Sequence, residues 1–271
     1  MTRTKQMLFT LLLMLCTLVH AQEDRSGKEK IPVPPRPLTL PDTSLNQTDA
    51  SGNKTGMWVE KSGLTQAQGI YRNGSREGTW MTFNPDGIFT GFCEYVNGTK
   101  NGLEIELRNT GALSKQAAYK NNLLHGRLLS FLQSGKIQSD ALYKNGKLNG
   151  PKKSFYPNSK PQEEGFFVDD LREGISKWFY EDGKVSIEYN YKSGKLQGLQ
   201  KTYYKDGAIQ SETFYVNNLM EGDYREFFED GKTLKASGTY SDDKKNGTFK
   251  EFDKEGKVLK TEKYKMDVLT K

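Results

Sequence analysis

At 271 residues the chain is long enough for one large domain or two ordinary ones, yet only 34% of it is hydrophobic, while 11% is aromatic and 27 residues are Gly. A composition so poor in aliphatic side chains and so rich in rings and turns suits a thin sheet, and it excludes a helical bundle or an α/β enzyme with a deep core. The formal net charge of +6 is mild, and no run of Lys and Arg builds a footprint for nucleic acid.

Residues 1–21 read as a signal peptide. Arg3 and Lys5 supply a positive start, Met7 to Val19 form an apolar stretch short for a bilayer span, and Val19-His20-Ala21 puts small residues where a signal peptidase cuts. Met14-Leu15 are too bulky to make Cys16 a lipidation site. The expectation is export, to a periplasmic, surface-associated or secreted location, with no transmembrane segment in the mature chain. Cleavage lowers the net charge by two and leaves Cys93 as the remaining cysteine, so no intrachain disulfide is expected.

Residues 22–54 hold Pro32, Pro34, Pro35, Pro37 and Pro41 and then a polar Ser/Thr/Asn/Asp stretch. Proline at this density cannot join a sheet and little here can be buried, which predicts a disordered, partly polyproline tether.

From residue 55 to 266 the chain repeats. Gly78, Gly102, Gly126, Gly150, Gly174, Gly198 and Gly222 fall 24 residues apart. A second series runs through Gly87, Gly111, Gly135, Gly183, Gly207 and Gly231, with Ser159 in the one gap, and a third through Gly74, Gly98, Asn122, Gly146, Asp170, Gly194 and Asn218. Three registers at one period define a repeat array. Each unit has two turns; one carries Asp86-Gly87, Asp182-Gly183, Asp206-Gly207 or Asp230-Gly231, the other Asn73-Gly74, Asn97-Gly98 or Asn145-Gly146, dipeptides that favour two-residue type I′ hairpins.

That register sets Lys153 opposite Glu164, Lys177 opposite Glu188 and Lys201 opposite Glu212. In the adjoining column it sets Glu106 opposite Lys115, Glu226 opposite Lys235 and Glu251 opposite Lys260. Opposed charges of this kind contribute roughly 0.2–1 kcal/mol each. Two aromatic columns, Phe83 to Phe252 and Tyr95 to Tyr264, are expected to stack from unit to unit and supply the core. The fold class is therefore all-β: an elongated array of about nine 24-residue hairpins forming a twisted antiparallel ribbon, roughly 10 Å per unit. Residues 267–271 form a polar tail.

The segment Gly174-Ile175-Ser176-Lys177-Trp178-Phe179-Tyr180-Glu181-Asp182-Gly183-Lys184, continued by Glu188, Tyr191 and Ser193-Gly194-Lys195, resembles MORN repeats (membrane occupation and recognition nexus), of the bacterial variety found in YwqK-family antitoxin-like proteins. The resemblance covers about residues 56–266. It implies a hairpin ribbon that contacts protein or lipid, and an antitoxin role. Ser159-Lys160-Pro161 departs from the pattern and predicts irregular pairing there.

One histidine (His125) and one cysteine (Cys93) in the mature chain cannot assemble a Ser-His-Asp, Cys-His or zinc site. No catalytic residue, metal or cofactor is expected. His125 reads as an edge residue and Cys93 as packing. The candidate binding residues are Tyr156, Tyr180, Tyr204 and Phe228, a row of rings confined to units five to eight; it reads as a stiffening ladder or an exposed strip for a partner. The functions expected are an exported scaffold that binds a protein at the cell envelope, an immunity protein against a cognate toxin, or a binder of envelope glycan or lipid.

Overall fold

The structure is a computed structural model that describes residues 35–39 and 42–270. The expected signal peptide lies outside the described residues. The chain divides into two units, Met1–Pro37 and Leu38–Lys271. Of the first, residues 35–37 are described and have no regular secondary structure.

The second unit is one open sheet of 22 antiparallel strands. Nine hairpins follow one another, from Lys54–Ser62 with Thr65–Arg72 to Gly247–Phe252 with Val258–Lys265. Neighbours in sequence are neighbours in the sheet, so stability comes from each hairpin meeting the next.

The two turns differ in kind. At Asn73-Gly74, Asn97-Gly98 and Asn145-Gly146 both residues have positive φ, as a type I′ turn requires. At Asp182-Gly183 only the glycine does (φ 89°). There the Tyr180 amide donates to the Lys184 carbonyl and the Gly183 amide to the Tyr180 carbonyl, both at 2.8 Å, which makes a type I turn with a glycine bulge. The aspartate is chosen for its side chain: Asp182 Oδ1 accepts from the Lys184 amide at 3.0 Å, and Asp206 does the same for Ala208 at 2.9 Å. The expected type I′ geometry is thus corrected at the Asp-Gly turns. Beyond the bulge the register returns to the expected one, with Lys177 opposite Glu188 and Lys153 opposite Glu164.

Two further expectations need correction. Glu226 faces Ala236, because this turn holds one more residue and the Phe228 amide reaches Thr233; Lys235 still meets Glu226 at 2.7 Å from the neighbouring position. At Ser159-Lys160-Pro161 pairing is regular: Ser159 takes φ 69° in place of glycine, and Pro161, first in its strand, sits opposite Phe155.

Residues 42–53, which the sequence assigns to the tether, belong to the fold. Gln47–Thr48 pairs with Thr55 and Lys54, and Leu45 is buried. Asn46 covers the first strand: its Oδ1 accepts from the Val59 amide at 2.7 Å and its Nδ2 donates to the Val59 carbonyl at 3.2 Å. In the polar tail, Val268–Leu269 pairs with Lys265 and Tyr264.

Trp80 and Phe83 are fully buried and anchor the core, most of which lies in the first half of the array. Gly69 makes room for Trp80, since a Cβ there would sit 2.6 Å from the indole; Gly238 does the same for Phe249 at 2.3 Å.

Candidate binding surface

Side chains alternate across the sheet, so each hairpin contributes to two faces. One face carries Tyr71, Tyr95, Tyr119, Tyr143, Phe167, Tyr191, Tyr215, Tyr240 and Tyr264. Directly across the Asn-Gly turns from these stand Arg76, Lys100, Leu124, Leu148, Arg172, Leu196, Met220, Lys245 and Leu269. The expected ring-on-ring stacking is therefore corrected. Rings of the tyrosine column lie two strands apart, about 10 Å, and a long side chain fills the interval, joined at some units by an edge-on ring: Trp80 lies 5.1 Å from Tyr71, and Phe249 lies 5.3 Å from Tyr240 and 5.5 Å from Tyr264. Arg76 lies 4.1 Å from the Trp80 ring and 5.3 Å from Tyr95; Lys245 lies 4.8 Å from Phe249 and 4.9 Å from Tyr264.

Carboxylates complete this face. Glu60 accepts from Lys54 at 2.8 Å, Arg76 at 2.6 Å and Tyr71 at 2.8 Å. Burial pushes its pKa up, but these three donors outweigh it and hold the group at about 2. Buried Glu104 accepts from Lys100 at 2.5 Å and Lys115 at 2.7 Å, and Glu163 pairs with Arg172. The hollows on this face are shallow. One of about 400 Å³ is lined by Glu60 and Arg76, and one of about 190 Å³ by Tyr224, Lys245 and Glu262. In the first, Arg76 is paired with Glu60 at 2.6 Å, and in the second Glu262 is paired with Lys260 at 2.9 Å. Among the described residues, no group of three or more His, Cys, Asp or Glu side chains is placed to hold a metal ion.

The opposite face is organised in rows. The Phe155, Phe179, Tyr203 and Phe227 column lies toward the Asp-Gly turns. Beside it run the ion pairs Lys153–Glu164 at 2.8 Å, Lys177–Glu188 at 2.7 Å and Lys201–Glu212 at 3.3 Å. Between that row and the Asn-Gly turns lies an exposed apolar strip. It contains Leu142, Pro151, Phe166 (47% exposed), Ile175 (59%), Leu199 and Phe214 (41%). Pro151 sits opposite Phe166, and Leu199 opposite Phe214. At the outer margin exposed Val168 faces Leu171, and Val216 faces exposed Leu219. The strip escaped the sequence reading because both faces carry rings at period two, and nothing in the alternation says which face is covered.

Tyr156, Tyr180, Tyr204 and Phe228 lie just outside the strands, as first residues of the type I turns. They belong to the turns and not to a strand face, because this turn begins one residue earlier than a type I′ turn. Each phenol donates to a backbone carbonyl 23 residues on: Tyr156 to Phe179 at 2.7 Å, Tyr180 to Tyr203 at 2.6 Å and Tyr204 to Phe227 at 2.8 Å. Arg108 makes the equivalent bond to Phe131 at 2.7 Å. His125 lies 3.2 Å from Asn145 of the next turn, where Glu173 accepts from Ser193 and Glu221 from Asp242. Cys93 is buried, and burial pushes its thiol up to about 11.

These features define a hairpin-repeat scaffold with one apolar strip. Residues 124–145, 148–169, 172–193, 196–217 and 245–266 match the MORN repeat variant, each segment spanning one hairpin from its first strand to the following turn. The chain is a MORN-repeat protein. No curated protein matches it at a significant level.

Proposed function

We propose that this chain is an exported, non-catalytic scaffold that binds another protein at the cell envelope through the apolar strip of Phe166, Ile175, Leu199 and Phe214. The strip carries the reading: large side chains left in water on one side of a sheet, in adjoining units, are the usual mark of an interaction surface. The hydroxyls of Tyr156, Tyr180 and Tyr204 donate to backbone carbonyls, which supports a stiffening role for that row. Export rests on the residue pattern of positions 1–21. The antitoxin-like resemblance would make the partner a toxin, held on the same strip.

Photocrosslinking in the native host tests this. A photoreactive amino acid at Phe166 or Phe214 is expected to capture a discrete envelope protein, and one at Glu229, in a turn, is expected to capture none. Mature protein beginning at Gln22 is expected in the envelope or medium. Equal crosslinking from all three positions, or retention of the first 21 residues in the cytoplasm, would refute the reading.

A further inference from the structure

We infer that the partner docks on this strip as an extended acidic segment of polypeptide, its carboxylates meeting two pairs of opposed lysines that punctuate the apolar row. The inference rests on the strip being the binding surface and adds the chemistry of its occupant. Lys144 stands directly opposite Lys147, and Lys192 directly opposite Lys195. Among the described residues these are the two places where the paired strands oppose like charges. Everywhere else in the ladder a lysine or arginine faces an acid or a neutral residue. All four lysines are exposed, and none has an ion-pair partner among the described residues. Like charges in direct opposition weaken a sheet, so the fold itself gains nothing from them. An anionic occupant would.

The arrangement recurs every 48 residues: Lys144 and Lys147 return as Lys192 and Lys195, and Phe166 returns as Phe214. With strands about 4.8 Å apart, the two lysine pairs stand about 20 Å from each other along the sheet, the span of about six residues of extended chain. The apolar pair Val168–Leu171 lies between them. Between the two lysine pairs, Glu173 and Asp170 are engaged, Glu173 by the Ser193 amide at 2.7 Å and Asp170 by the Leu148 amide at 2.7 Å. Strands also rotate by about 20–25° from one to the next. Four strands separate the lysine pairs, so the second points roughly a right angle away from the first. A planar anionic bilayer cannot meet both, whereas a polypeptide can wind with the sheet.

The test pans a displayed library of random 15-residue peptides against the full chain. Enriched sequences are then assayed as labelled peptides by fluorescence anisotropy, alongside flotation with phosphatidylglycerol vesicles. The expected peptides carry acidic residues five to seven positions apart with apolar residues between. Their affinity is expected to fall tenfold or more in the K147E/K195E double variant and in F166S/F214S. Because K147E and K195E turn repulsive pairs into attractive ones, the double variant is expected to melt at or above the wild-type temperature, which separates lost binding from lost folding. Peptides without acids, or peptides whose affinity survives K147E/K195E but falls in F166S/F214S, overturn the acidic occupant and leave the apolar binding surface standing. Peptides indifferent to both variants overturn the strip as well. Vesicle binding through the lysines without acidic peptides identifies lipid as the occupant and overturns the inference. Failure to enrich any peptide overturns the inference and the protein-binding reading together.

Discussion

Tyr180 donates its phenolic proton to the backbone carbonyl of Tyr203, 2.6 Å away and one repeat further along the chain. The same reach occurs at Tyr156 and Tyr204, so a row of side chains fastens three successive turns, each to the strand end of the next unit. Removing one hydroxyl leaves a half-buried carbonyl short of a donor. Y180F is expected to lower stability by about 1 kcal/mol, and Y156F/Y180F/Y204F by more than any single change, read as a falling urea midpoint.

Ser159 holds a left-handed conformation where sister units place glycine. A side chain in that region costs roughly 1–2 kcal/mol, partly offset by the greater freedom that glycine has in the unfolded chain. S159G is expected to stabilise the protein by about 0.5–1 kcal/mol. A lower midpoint than wild type would show that the hydroxyl contributes more than the geometry indicates.

Gly69 lies under the Trp80 indole with no room for a methyl group. G69A is expected to cost about 1–3 kcal/mol through overpacking and to shift the tryptophan emission to the red as the ring is displaced. Unchanged emission would contradict the close approach.

Glu60 has a folded pKa of about 2 against an ordinary 4.5. A depressed carboxyl contributes stability that is present above the unfolded pKa and lost as pH falls through the folded one. The protein should therefore lose stability between pH 4.5 and about 2, and E60Q should lose less across that window while starting less stable at pH 7. Parallel acid titrations of the two proteins, followed by circular dichroism, check this.

How much of this was legible beforehand depended on what each residue contributes. The Lys177–Glu188 pairing follows from counting outward from Asp182-Gly183, and the count succeeds because the glycine bulge restores the residue that the longer turn takes up. The same count fails at Glu226, where a single inserted residue shifts the pairing. Residues 42–53 looked like tether because their role is polar: Asn46 acts through its amide and adds no apolar periodicity. The opposed lysines were equally readable in principle, since Asn145-Gly146 and Ser193-Gly194 fix their pairing. They escaped because the charge columns that stand out in the sequence lie further from those turns, where no two like charges are opposed.

Cys93 sits in a column of small residues with its thiol held protonated by burial. N-ethylmaleimide should modify it at least a hundredfold more slowly in the native protein than in guanidinium at the same pH. Comparable rates would mean that the hairpins around Trp80 open readily.

An unpaired strand margin is a template on which foreign chains assemble into fibres. At the first strand of this array the amide and carbonyl of Val59, the groups such a chain would seize, are both occupied by the side chain of Asn46. The Asn46 carboxamide thus extends the cover beyond Lys54 and Thr55, which Gln47–Thr48 already pairs, and acts as a gatekeeper against templated growth from that margin.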